Sequence, residues 1–406
     1  MSALSHIKVL DLSRVLAGPW ASQLLADLGA EVIKIERPEV GDDTRSWGPP
    51  FLKDELGEET AESAYYLCTN RGKQSVCIDM KSAEGRETIR QLADQCDVVL
   101  ENFKVGSAAS FGIDYDTLAA RNPALVYCSI TGFGQTGPDK DRPGYDFLVQ
   151  AMGGLMSVTG QPDGEAGAGP QKVGVALTDI MTGLYATIGI LAALSERDRS
   201  GVGQFVDLAL LDVTAATLAN QASNFLVGSV VPGRLGNAHP NVVPYQSFVV
   251  ADGHLIVAVG NDGQFARFVT ELGCPELASD VHFDSNRHRV TNRDVLIPLL
   301  QRRMLDRSKA EWLAAFERVQ VPAGSINSVA EVFAEPQIQA RGMQVNLPHP
   351  QNPNLQLVGN PIKLSRTPVE YHRPPPRLGE HTDEVLARLS AGTLFAENDT
   401  PTDHAP

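Results

Sequence analysis

The fold is decided by residues 8–35, whose sequence is KVLDLSRVLAGPWASQLLADLGAEVIKI. Two apolar runs, 8–12 and 31–35, have the length and composition of short buried strands. Between them lies a helical segment, in which Pro19 suits the first turn and Gly29 the stop. A strand, a helix and a second strand in this order form the unit from which parallel sheets are built. The segment therefore predicts an α/β fold.

The same alternation of strand and helix continues outward from this segment. Further strands are predicted at residues 75–79, 98–103, 125–130 and 205–210. The alternation ends at residues 230–240, whose glycines and prolines are typical of a linker. Beyond it, a hairpin at residues 247–259 and several helical segments predict a smaller mixed lobe. At 406 residues the chain is long enough for two such lobes.

Composition narrows the classes of function. The formal net charge of −15 opposes non-specific nucleic-acid binding, because a phosphate backbone requires clustered cations. The five cysteines form no CxxC or Cys/His cluster, so neither a zinc site nor a disulfide framework is predicted. The first residues lack the blocks of a signal peptide, and the apolar run 180–194 is too short to span a bilayer. A cytoplasmic protein with neither nucleic-acid nor membrane partners is expected.

A second stretch, VGVALTDIMTG at residues 173–183, places one carboxylate, Asp179, at the start of an apolar helical run. One interpretation is structural, with the side chain of Thr178 or Asp179 capping the helix. The other is catalytic, because a carboxylate at a helix mouth is accessible, low in pKa and able to attack an activated acyl group. The local sequence favours the structural interpretation, and only features elsewhere in the chain can decide between a helix cap and a catalytic carboxylate.

One arginine and one loop offer candidate ligand contacts, although the ordinary nucleotide motifs are missing. No GxGxxG follows the first strand and no GxxxxGK[ST] occurs, so the usual dinucleotide and P-loop sites are unsupported. Arg37, just after the second strand, either binds a sugar phosphate or pairs on the surface with a neighbouring glutamate. The loop 41–50 carries Arg45 and Trp47, side chains that commonly contact ligands. The alternative for Trp47 is that it seals the lobe.

Several segments taken together resemble one known group of proteins. The matching segments are VLDLSRVLAGP at 9–19, LGAEVIKIERP at 28–38, NRGK at 70–73, ENF at 101–103, the stretch 173–183, GVGQ at 201–204 and LGEHT at 378–382. In this order, and over nearly the whole chain, they resemble the family III CoA-transferases. That group includes formyl-CoA transferase, carnitine CoA-transferase and alpha-methylacyl-CoA racemase.

The resemblance implies a fold that the spacing of the motifs does not show. It implies a Rossmann-like large domain built from both chain ends, a smaller α+β domain from the middle of the chain, and an interlocked, ring-like homodimer. The implied divisions are 1–225 for the N-terminal part of the large domain, 226–325 for a linker and the small domain, and 326–406 for a linker and the return to the large domain.

The resemblance also implies a chemistry. Asp179 matches the family's catalytic aspartate, whose carboxylate attacks an acyl-CoA carbonyl to give a mixed anhydride and CoA thiolate. Exchange then proceeds through an enzyme–CoA thioester, and neither step runs far uphill because an anhydride is about as activated as a thioester. Coenzyme A and its acyl esters are substrates together with a carboxylic acid. No permanently bound cofactor or metal is expected.

Positions that contact CoA in the family map onto this chain residue by residue. They are Arg14, Val15, Ala17, Arg37, Ile78, Lys81, Asn102, Phe103, Ser107 and Tyr145. Arg37 and Lys81 suit phosphates, Phe103 suits the adenine face, and Asn102 supplies polar contacts. One position departs from the family, because formyl-CoA transferase carries an arginine where this chain has Ser110. Lys104 or Arg142 is the candidate to replace that phosphate contact.

The choice between transfer and racemisation depends on one motif. The racemase branch uses a histidine in a Gly-His-Asp motif together with the shared aspartate, and here the motif is Gly144-Tyr145-Asp146. A phenol, with an ordinary pKa of about 10, exchanges protons poorly near neutrality, so transfer is favoured. A 2-methylacyl-CoA racemase is the alternative, beside a non-catalytic acyl-CoA-binding protein. The missing glycine fingerprint disfavours an NAD-dependent oxidoreductase.

Two loops indicate a dicarboxylate substrate. Residues 41–50 and 239–246 look most like those of family members that use succinyl-CoA with glutarate or related acids. A second carboxylate requires a cation, for which Arg45 is the candidate, with Trp47 beside it. His239 is either a substrate contact or a solvent-exposed linker residue. The predicted activity is CoA transfer from succinyl-CoA to a short dicarboxylate.

Overall fold

The structure is a computed structural model that describes residues 2–395. Residue 1 and residues 396–406, which the first and last predicted divisions include, lie outside the described residues. Two compact units are present: the first contains the residues up to Gly154, Gly174–Ala222 and the residues from Gln337 onward, and the second contains Leu155–Val173 and Ser223–Pro336. Residues 155–173, assigned to the large domain from the sequence, thus belong to the second unit.

A six-stranded parallel sheet organises the first unit. Among the described residues the strands are β1 (Lys8–Asp11), β2 (Glu31–Glu36), β3 (Phe51–Lys53), β4 (Glu59–Ser63), β5 (Lys73–Cys77), β6 (Val98–Glu101), β7 (Val126–Thr131), β8 (Phe205–Ala209), β9 (Tyr245–Val250), β10 (Gly253–Ala258), β11 (Ala323–Ser325), β12 (Gln344–Asn346) and β13 (Gln356–Val358). The sheet has the order β5-β2-β1-β6-β7-β8, with every neighbouring pair parallel. The predicted α/β class is confirmed.

Helices supply most of the remaining regular structure. Over the same residues they are α1 (Ala17–Asp27), α2 (Ala64–Leu67), α3 (Ala83–Asp94), α4 (Ser107–Phe111), α5 (Tyr115–Ala119), α6 (Asp146–Met152), α7 (Leu177–Ser200), α8 (Leu210–Thr217), α9 (Ala219–Gly228), α10 (Asp262–Glu271), α11 (Asn286–Thr291), α12 (Arg293–Met304), α13 (Lys309–Arg318), α14 (Val329–Ala334), α15 (Pro336–Ala340) and α16 (Thr382–Ser390).

The strands of this sheet are apolar on both faces because helices cover both. Val9 on β1 belongs to a core that it shares with residues of α1 and α7. Its neighbour Leu10 points to the opposite face and belongs to a core that includes residues of α3 and α16. Successive side chains of a strand alternate between faces, so a continuous apolar run indicates a strand buried on both sides. The run at residues 8–12 predicted this burial correctly.

The first βαβ unit has the predicted order of strand, helix and strand. Helix α1 starts at Ala17, and Pro19 lies in its first turn. Gly29 follows the helix with φ of 106°, a conformation that favours glycine. Because the helix begins directly after the loop that follows β1, its N-terminus lies at the carboxyl edge of the sheet, where open α/β sheets bind ligands.

A C-terminal segment covers the free edge of β5. The N–H of His381 donates to the carbonyl oxygen of Ser75 at 3.0 Å. The N–H of Gly379 donates to the Ser75 hydroxyl at 2.9 Å, and the N–H of Cys77 donates to Thr382 Oγ1 at 3.0 Å. Exposed edge strands invite pairing with other chains, so this segment protects the sheet.

The second unit has its own sheet and core. Strands β9, β10 and β11 form an antiparallel sheet in the order β11-β10-β9, and the predicted hairpin joins the first two. Its core includes aromatic residues from α10 and α13 packed against this sheet, among them Phe268, Trp312 and Phe316. The predicted smaller mixed lobe is therefore present as a compact unit.

Helix α7 is, within residues 2–395, the one helix with the length and apolar composition of a membrane span. Of its most apolar 18-residue window, 44% is buried inside the structure.

Candidate active site

Asp179 lies in the first turn of α7, and that turn is capped by a residue from another helix. The N–H groups of Thr178 and Asp179 donate to Oδ1 of Asp146 at 2.8 and 3.3 Å. Asp146 begins α6, where the side chain of Gln150 donates to its Oδ2 at 2.7 Å. The interpretation of Thr178 or Asp179 as the cap is therefore wrong, because Asp146 already satisfies the first N–H groups of the helix.

The Asp179 carboxyl group has an unusually high proton affinity. Burial raises its pKa to about 7, and the negative charge of Asp146 adds to the rise. The expectation of a low pKa is wrong, because Asp146 binds the N–H groups that would otherwise stabilise the anion. At neutral pH the acid and the carboxylate coexist, so a form able to attack a carbonyl is present.

Replacing Asp146 by Asn tests this coupling. Asn keeps an oxygen that can accept the N–H of Thr178 but removes the negative charge, so the pKa of Asp179 should fall. If Asp179 reacts as the carboxylate, the acidic limb of the pH profile of kcat/KM for acyl-CoA should move to lower pH. The matched control is Asp383→Asn, which removes an exposed carboxylate from the first turn of α16. An unshifted limb in Asp146→Asn would contradict the coupling.

The loop after β1 brings three predicted CoA contacts together. Asn102, which follows β6, accepts the N–H of Arg14 at 3.0 Å and donates to the carbonyl oxygen of Arg14 at 2.6 Å. Val15 follows in the loop, and Ala17 is the first residue of α1 and is buried. Strands β1 and β6 are parallel neighbours, so residues that follow their carboxyl ends meet.

Two predicted CoA contacts, Arg14 and Arg37, share one carboxylate. The guanidinium groups of Arg14 and Arg37 both bind Asp43, in the case of Arg37 at 2.7 Å. Arg37 also donates from Nε and Nη2 to the carbonyl oxygen of Gly41, at 3.3 and 3.2 Å. Its surface partner is thus not the neighbouring glutamate considered from the sequence. Two half-exposed cations against one anion leave an excess of positive charge toward solvent, which suits a phosphate.

The end of β6 lies beside a cavity of about 450 Å³. Phe103 and Lys104 line it together with Glu101, Tyr127 and Phe205. Glu101 is buried and accepts the N–H of Phe103 at 2.6 Å, and burial raises its pKa to about 7. Phe103, the predicted contact of the adenine ring, therefore lines a cavity whose walls include aromatic side chains.

The arrangement described so far is a carboxylate at a helix start together with a basic loop at the carboxyl edge of a parallel sheet. A family model described as "CoA-transferase family III" matches residues 4–382. The chain belongs to CoA-transferase family III. Family III transferases use CoA thioesters as substrates, so the chain is an enzyme that transfers CoA.

Individual relatives of this transferase match along nearly the whole chain. It is 52% identical to a succinate–glutarate CoA-transferase from Agrobacterium fabrum, over 95% of each chain. It is 43% identical to a succinyl-CoA:glutarate CoA-transferase from Homo sapiens, over 95% of this chain and 86% of the relative. The crystal structure of a CAIB/BAIF family protein from Brucella suis is similar with a TM-score of 0.83 and 49% identity, covering 96% of this chain and 99% of that chain.

The transferase places Arg45 in the core and not in a substrate site. Its Nε and Nη2 each donate to Glu36 at 2.8 Å, and its Nη1 donates to Glu62 at 2.9 Å. Nη2 also donates to the carbonyl oxygen of Pro376 at 3.0 Å, and the guanidinium stacks on the Tyr66 ring at 3.7 Å. With 8% of the side chain exposed, the prediction that Arg45 binds a substrate carboxylate is corrected to a structural role.

Trp47 is 43% exposed. Its ring contacts Tyr65 edge-on, with 5.1 Å between ring centroids. The pKa of Tyr65 is raised to about 12, first by burial and then by the negative charge of Asp179. Tyr65 is therefore near enough to the candidate nucleophile to be affected by its charge, and Trp47 contacts Tyr65.

The other predicted CoA contacts differ in their surroundings. Ile78 is buried, and Lys81 and Lys104 are exposed. The hydroxyl of Ser110 donates to the carbonyl oxygen of Ser107 at 2.7 Å within α4, so Ser110 presents no cation to a phosphate. Between the two candidate replacements, Lys104 is the one that lines the cavity beside Phe103.

Arg142 and Tyr145 lie near the start of α6. Arg142 donates from Nη1 to Asp139 at 3.0 Å, and its guanidinium lies 4.9 Å from the centroid of the Phe133 ring. Tyr145 precedes α6 and is 63% exposed. Both side chains are accessible to a ligand, and their assignment to CoA stays a prediction.

His239 belongs to the second unit, where it is half-buried. Its Nδ1 accepts the N–H of Asn241 at 3.0 Å, and its ring lies 5.3 Å from that of Tyr245. Burial, and then the charge of Arg293, lower its pKa. His239 is therefore packed within its loop, and its role as a substrate contact stays a prediction.

Two residues of the site were missed from the sequence. In the sequence Asp146 stood out only as part of the racemase motif, and its place directly before the apolar residues 147–149 indicates a helix start but not a contact with α7. Tyr65 gave no local signal, because it lies far along the chain from Asp179. Among residues 2–395, no group of three or more His, Cys, Asp or Glu side chains is arranged to hold a metal ion.

Proposed function

We propose that this transferase moves CoA from succinyl-CoA to glutarate or a closely related dicarboxylate, with Asp179 as the nucleophile. The assignment of Asp179 as the nucleophile is supported by the state of its carboxyl group, which is half-buried at the start of α7 and has a pKa of about 7. The choice of acids is supported by two relatives at 52% and 43% identity, which are named as succinate–glutarate and succinyl-CoA:glutarate CoA-transferases.

The first half of the proposed reaction forms an anhydride. A carboxylate oxygen of Asp179 attacks the thioester carbonyl carbon of succinyl-CoA, and the tetrahedral intermediate expels CoA as its thiolate. The product is a mixed anhydride between Asp179 and succinate. The thiolate then attacks the side-chain carbonyl carbon of Asp179, which releases succinate and leaves an Asp179–CoA thioester.

The second half reverses these steps with the new acid. A carboxylate oxygen of glutarate attacks the carbonyl carbon of the Asp179–CoA thioester and expels the thiolate again. The thiolate attacks the glutaryl carbonyl of the new anhydride, which yields glutaryl-CoA and the free Asp179 carboxylate. Every bond formed to Asp179 is broken again, and no group beyond the two substrates is consumed.

The high pKa of Asp179 is consistent with this sequence of attacks. A carboxylate that water and N–H groups stabilise poorly is a better nucleophile than one held at an ordinary helix start. The same side chain must also serve as a leaving group in the anhydride, and a pKa of about 7 remains well below that of an alcohol.

For the CoA subsite we assign Arg14 and Arg37 to phosphates and Phe103 to the adenine ring. Arg14 and Arg37 carry the excess positive charge described above, and Phe103 lines a cavity at the same edge of the sheet. Lys104 is our candidate for the phosphate contact that Ser110 cannot make.

Arg37→Ala is expected to raise KM for succinyl-CoA by about tenfold, the usual cost of one exposed charge-assisted contact, and to leave kcat nearly unchanged. Steady-state kinetics at fixed glutarate measure both constants. The control is Arg121→Ala, which removes an exposed arginine paired with Asp94 in the same unit. Equal KM values for the two variants would remove Arg37 from the CoA subsite.

A panel of donors and acceptors tests the proposed substrates. Succinyl-, acetyl- and formyl-CoA are each combined with short mono- and dicarboxylic acids, and new CoA esters are identified by mass spectrometry. We expect glutaryl-CoA from succinyl-CoA and glutarate to form fastest. Epimerisation of a 2-methylacyl-CoA without transfer, or CoA-ester binding without turnover, would contradict the proposal.

We further propose that two copies of the chain form the interlocked homodimer. Helix α7 exposes Leu184, Tyr185 and Ile188, the last at 62%, and α6 exposes Phe147. A contiguous apolar face of this kind is typical of a protein interface. A solution mass of one chain by light scattering would exclude it.

The remaining assignments follow from the same proposal. A second copy covering α7 would account for its apolar exposed face without a lipid bilayer, and we therefore assign no membrane partner. We also propose a cytoplasmic enzyme without a nucleic-acid partner or a permanently bound cofactor. For the order of the domains along the chain we keep the divisions 1–225, 226–325 and 326–406 as a proposal, with residues 155–173 packed in the second unit.

A further inference from the structure

Val15 has a backbone conformation that β-branched residues avoid. Its φ is 71°, in the left-handed region that favours glycine. Such a conformation persists only where surrounding groups hold it, and these positions cluster at ligand sites. The contacts of the loop show which groups hold Val15.

Asp42 is the side chain that binds the backbone of Val15. The Val15 N–H lies 3.2 Å from Oδ1 and 3.3 Å from Oδ2 of the carboxylate. Lys34 Nζ lies 2.9 Å from the same carboxylate and donates to the carbonyl oxygen of Ser13 at 2.8 Å. The Lys34 and Asp42 side chains are 1% and 0% exposed, so the loop is held by a pair of charges that water does not reach.

The same carboxylate fixes the turn that follows it in the chain. Oδ1 of Asp42 accepts from the N–H and the hydroxyl of Thr44, at 3.0 and 2.8 Å. This contact caps the short helical turn that begins with Asp43. Asp43 in turn binds both Arg14 and Arg37. The buried Asp42 side chain therefore holds both the loop after β1 and the turn that carries Asp43, whose carboxylate orients both arginines.

We infer that Asp42 is a positioning residue for acyl-CoA binding, which acts by holding Val15 in its left-handed conformation and the Asp43 turn in its place. Asp42 is too deeply buried to touch CoA itself. The inference rests on the proposed function, since that proposal assigns Arg14 and Arg37 to the CoA phosphates.

The first test is Asp42→Asn. Its amide would present a donor to Lys34 and only one oxygen to the loop, so the loop should shift. A misplacement of this kind should raise KM for succinyl-CoA about tenfold, with less than about twofold change in kcat and in KM for glutarate. A merely structural role would lower the melting temperature without this separation of the constants.

A second variant distinguishes a displaced binding loop from a folding defect. Asp42→Asn removes the carboxylate that binds the buried Lys34 and leaves only the charges of Asp11 and Glu36 near it, whereas Lys34→Met combined with Asp42→Asn removes both charges of the pair and is similar in volume. The increase in KM for succinyl-CoA is expected in both. A KM within about twofold of the parent value in the neutral variant would overturn the inference, since that change is too small for a displaced binding loop.

A glycine at residue 15 supplies an independent measurement. Glycine adopts positive φ readily, so in a Val15→Gly background Asp42→Asn should raise KM by only about threefold relative to Val15→Gly alone. A full tenfold effect in that background would show that Asp42 does not act through Val15. Failure of the proposed function is distinguishable, because the unmodified chain would then transfer no CoA at all.

Discussion

Asp179→Asn is expected to reduce CoA transfer by at least about ten-thousandfold, because the amide cannot form the anhydride on which both half-reactions depend. Transfer is measured by mass spectrometry of glutaryl-CoA, and the enzyme–CoA thioester is sought as a mass adduct on the peptide that contains residue 179. The adduct should form with succinyl-CoA in the unmodified enzyme and be missing in Asp179→Asn.

The same substitution has a signature in stability that separates chemistry from misfolding. Because the pKa of Asp179 in the folded state is raised to about 7, the folded protein binds more protons than the unfolded chain between about pH 4 and pH 7. The group's contribution to the free energy of unfolding is therefore lost as pH rises through that window. Asp179→Asn should melt at a higher temperature than the parent at pH 8, with a smaller difference at pH 4.

A matched control shows whether the loss of any carboxylate from the first turn of a helix has the same effects. Asp383→Asn removes an exposed carboxylate from the first turn of α16, a similar place on another helix. It should leave transfer and the pH dependence of melting nearly unchanged. Substantial transfer by a folded Asp179→Asn enzyme would exclude the covalent route through this residue.

Arg45→Met is expected to lower the free energy of unfolding by about 3–5 kcal/mol, because it leaves two buried carboxylates without their cation. Glu36 accepts two of the Arg45 bonds and Glu62 a third, and both carboxylates are buried. Chemical denaturation at pH 7 measures the loss. Arg318→Ala, which removes an exposed partner of Glu271, is the control and should cost less than about 1 kcal/mol.

The same variant decides between the structural role and the one expected from the sequence. If Arg45 bound the distal carboxylate of the acid, Arg45→Met would raise KM for glutarate far more than KM for a monocarboxylate of equal length. We expect both KM values to change in parallel, if at all. A selective loss of dicarboxylates in a variant of normal stability would restore Arg45 to the substrate site.

The sequence predicted most of what depends on local pattern. The run at residues 8–35 specified β1, α1 and β2, because strand length, apolar content and the Pro19 and Gly29 signals are local properties. The resemblance then located Arg14, Arg37 and Asn102, which the structure brings to one edge of the sheet.

What the sequence did not predict depends on partners distant in the chain. Arg45 has the same local surroundings whether it binds a substrate or Glu62 and Pro376, and only the folded chain distinguishes these cases. The pKa of Asp179 is raised first by burial and then by the charge of Asp146, 33 residues earlier, which also takes the N–H groups that a helix start would otherwise offer. Burial and contacts between residues distant in the chain therefore reversed two local inferences.

The strip of residues 379–382 that borders β5 has a consequence for synthesis. Cys77 and its partner Thr382 are 305 residues apart, so at translation rates of about 5–20 residues per second, β5 waits on the order of 15–60 s for its neighbour. During that interval the nascent sheet offers open hydrogen-bonding groups to any chain emerging from a nearby ribosome. Because the segment that covers β5 is synthesised last, the edge of β5 needs to be shielded by a chaperone until that segment emerges.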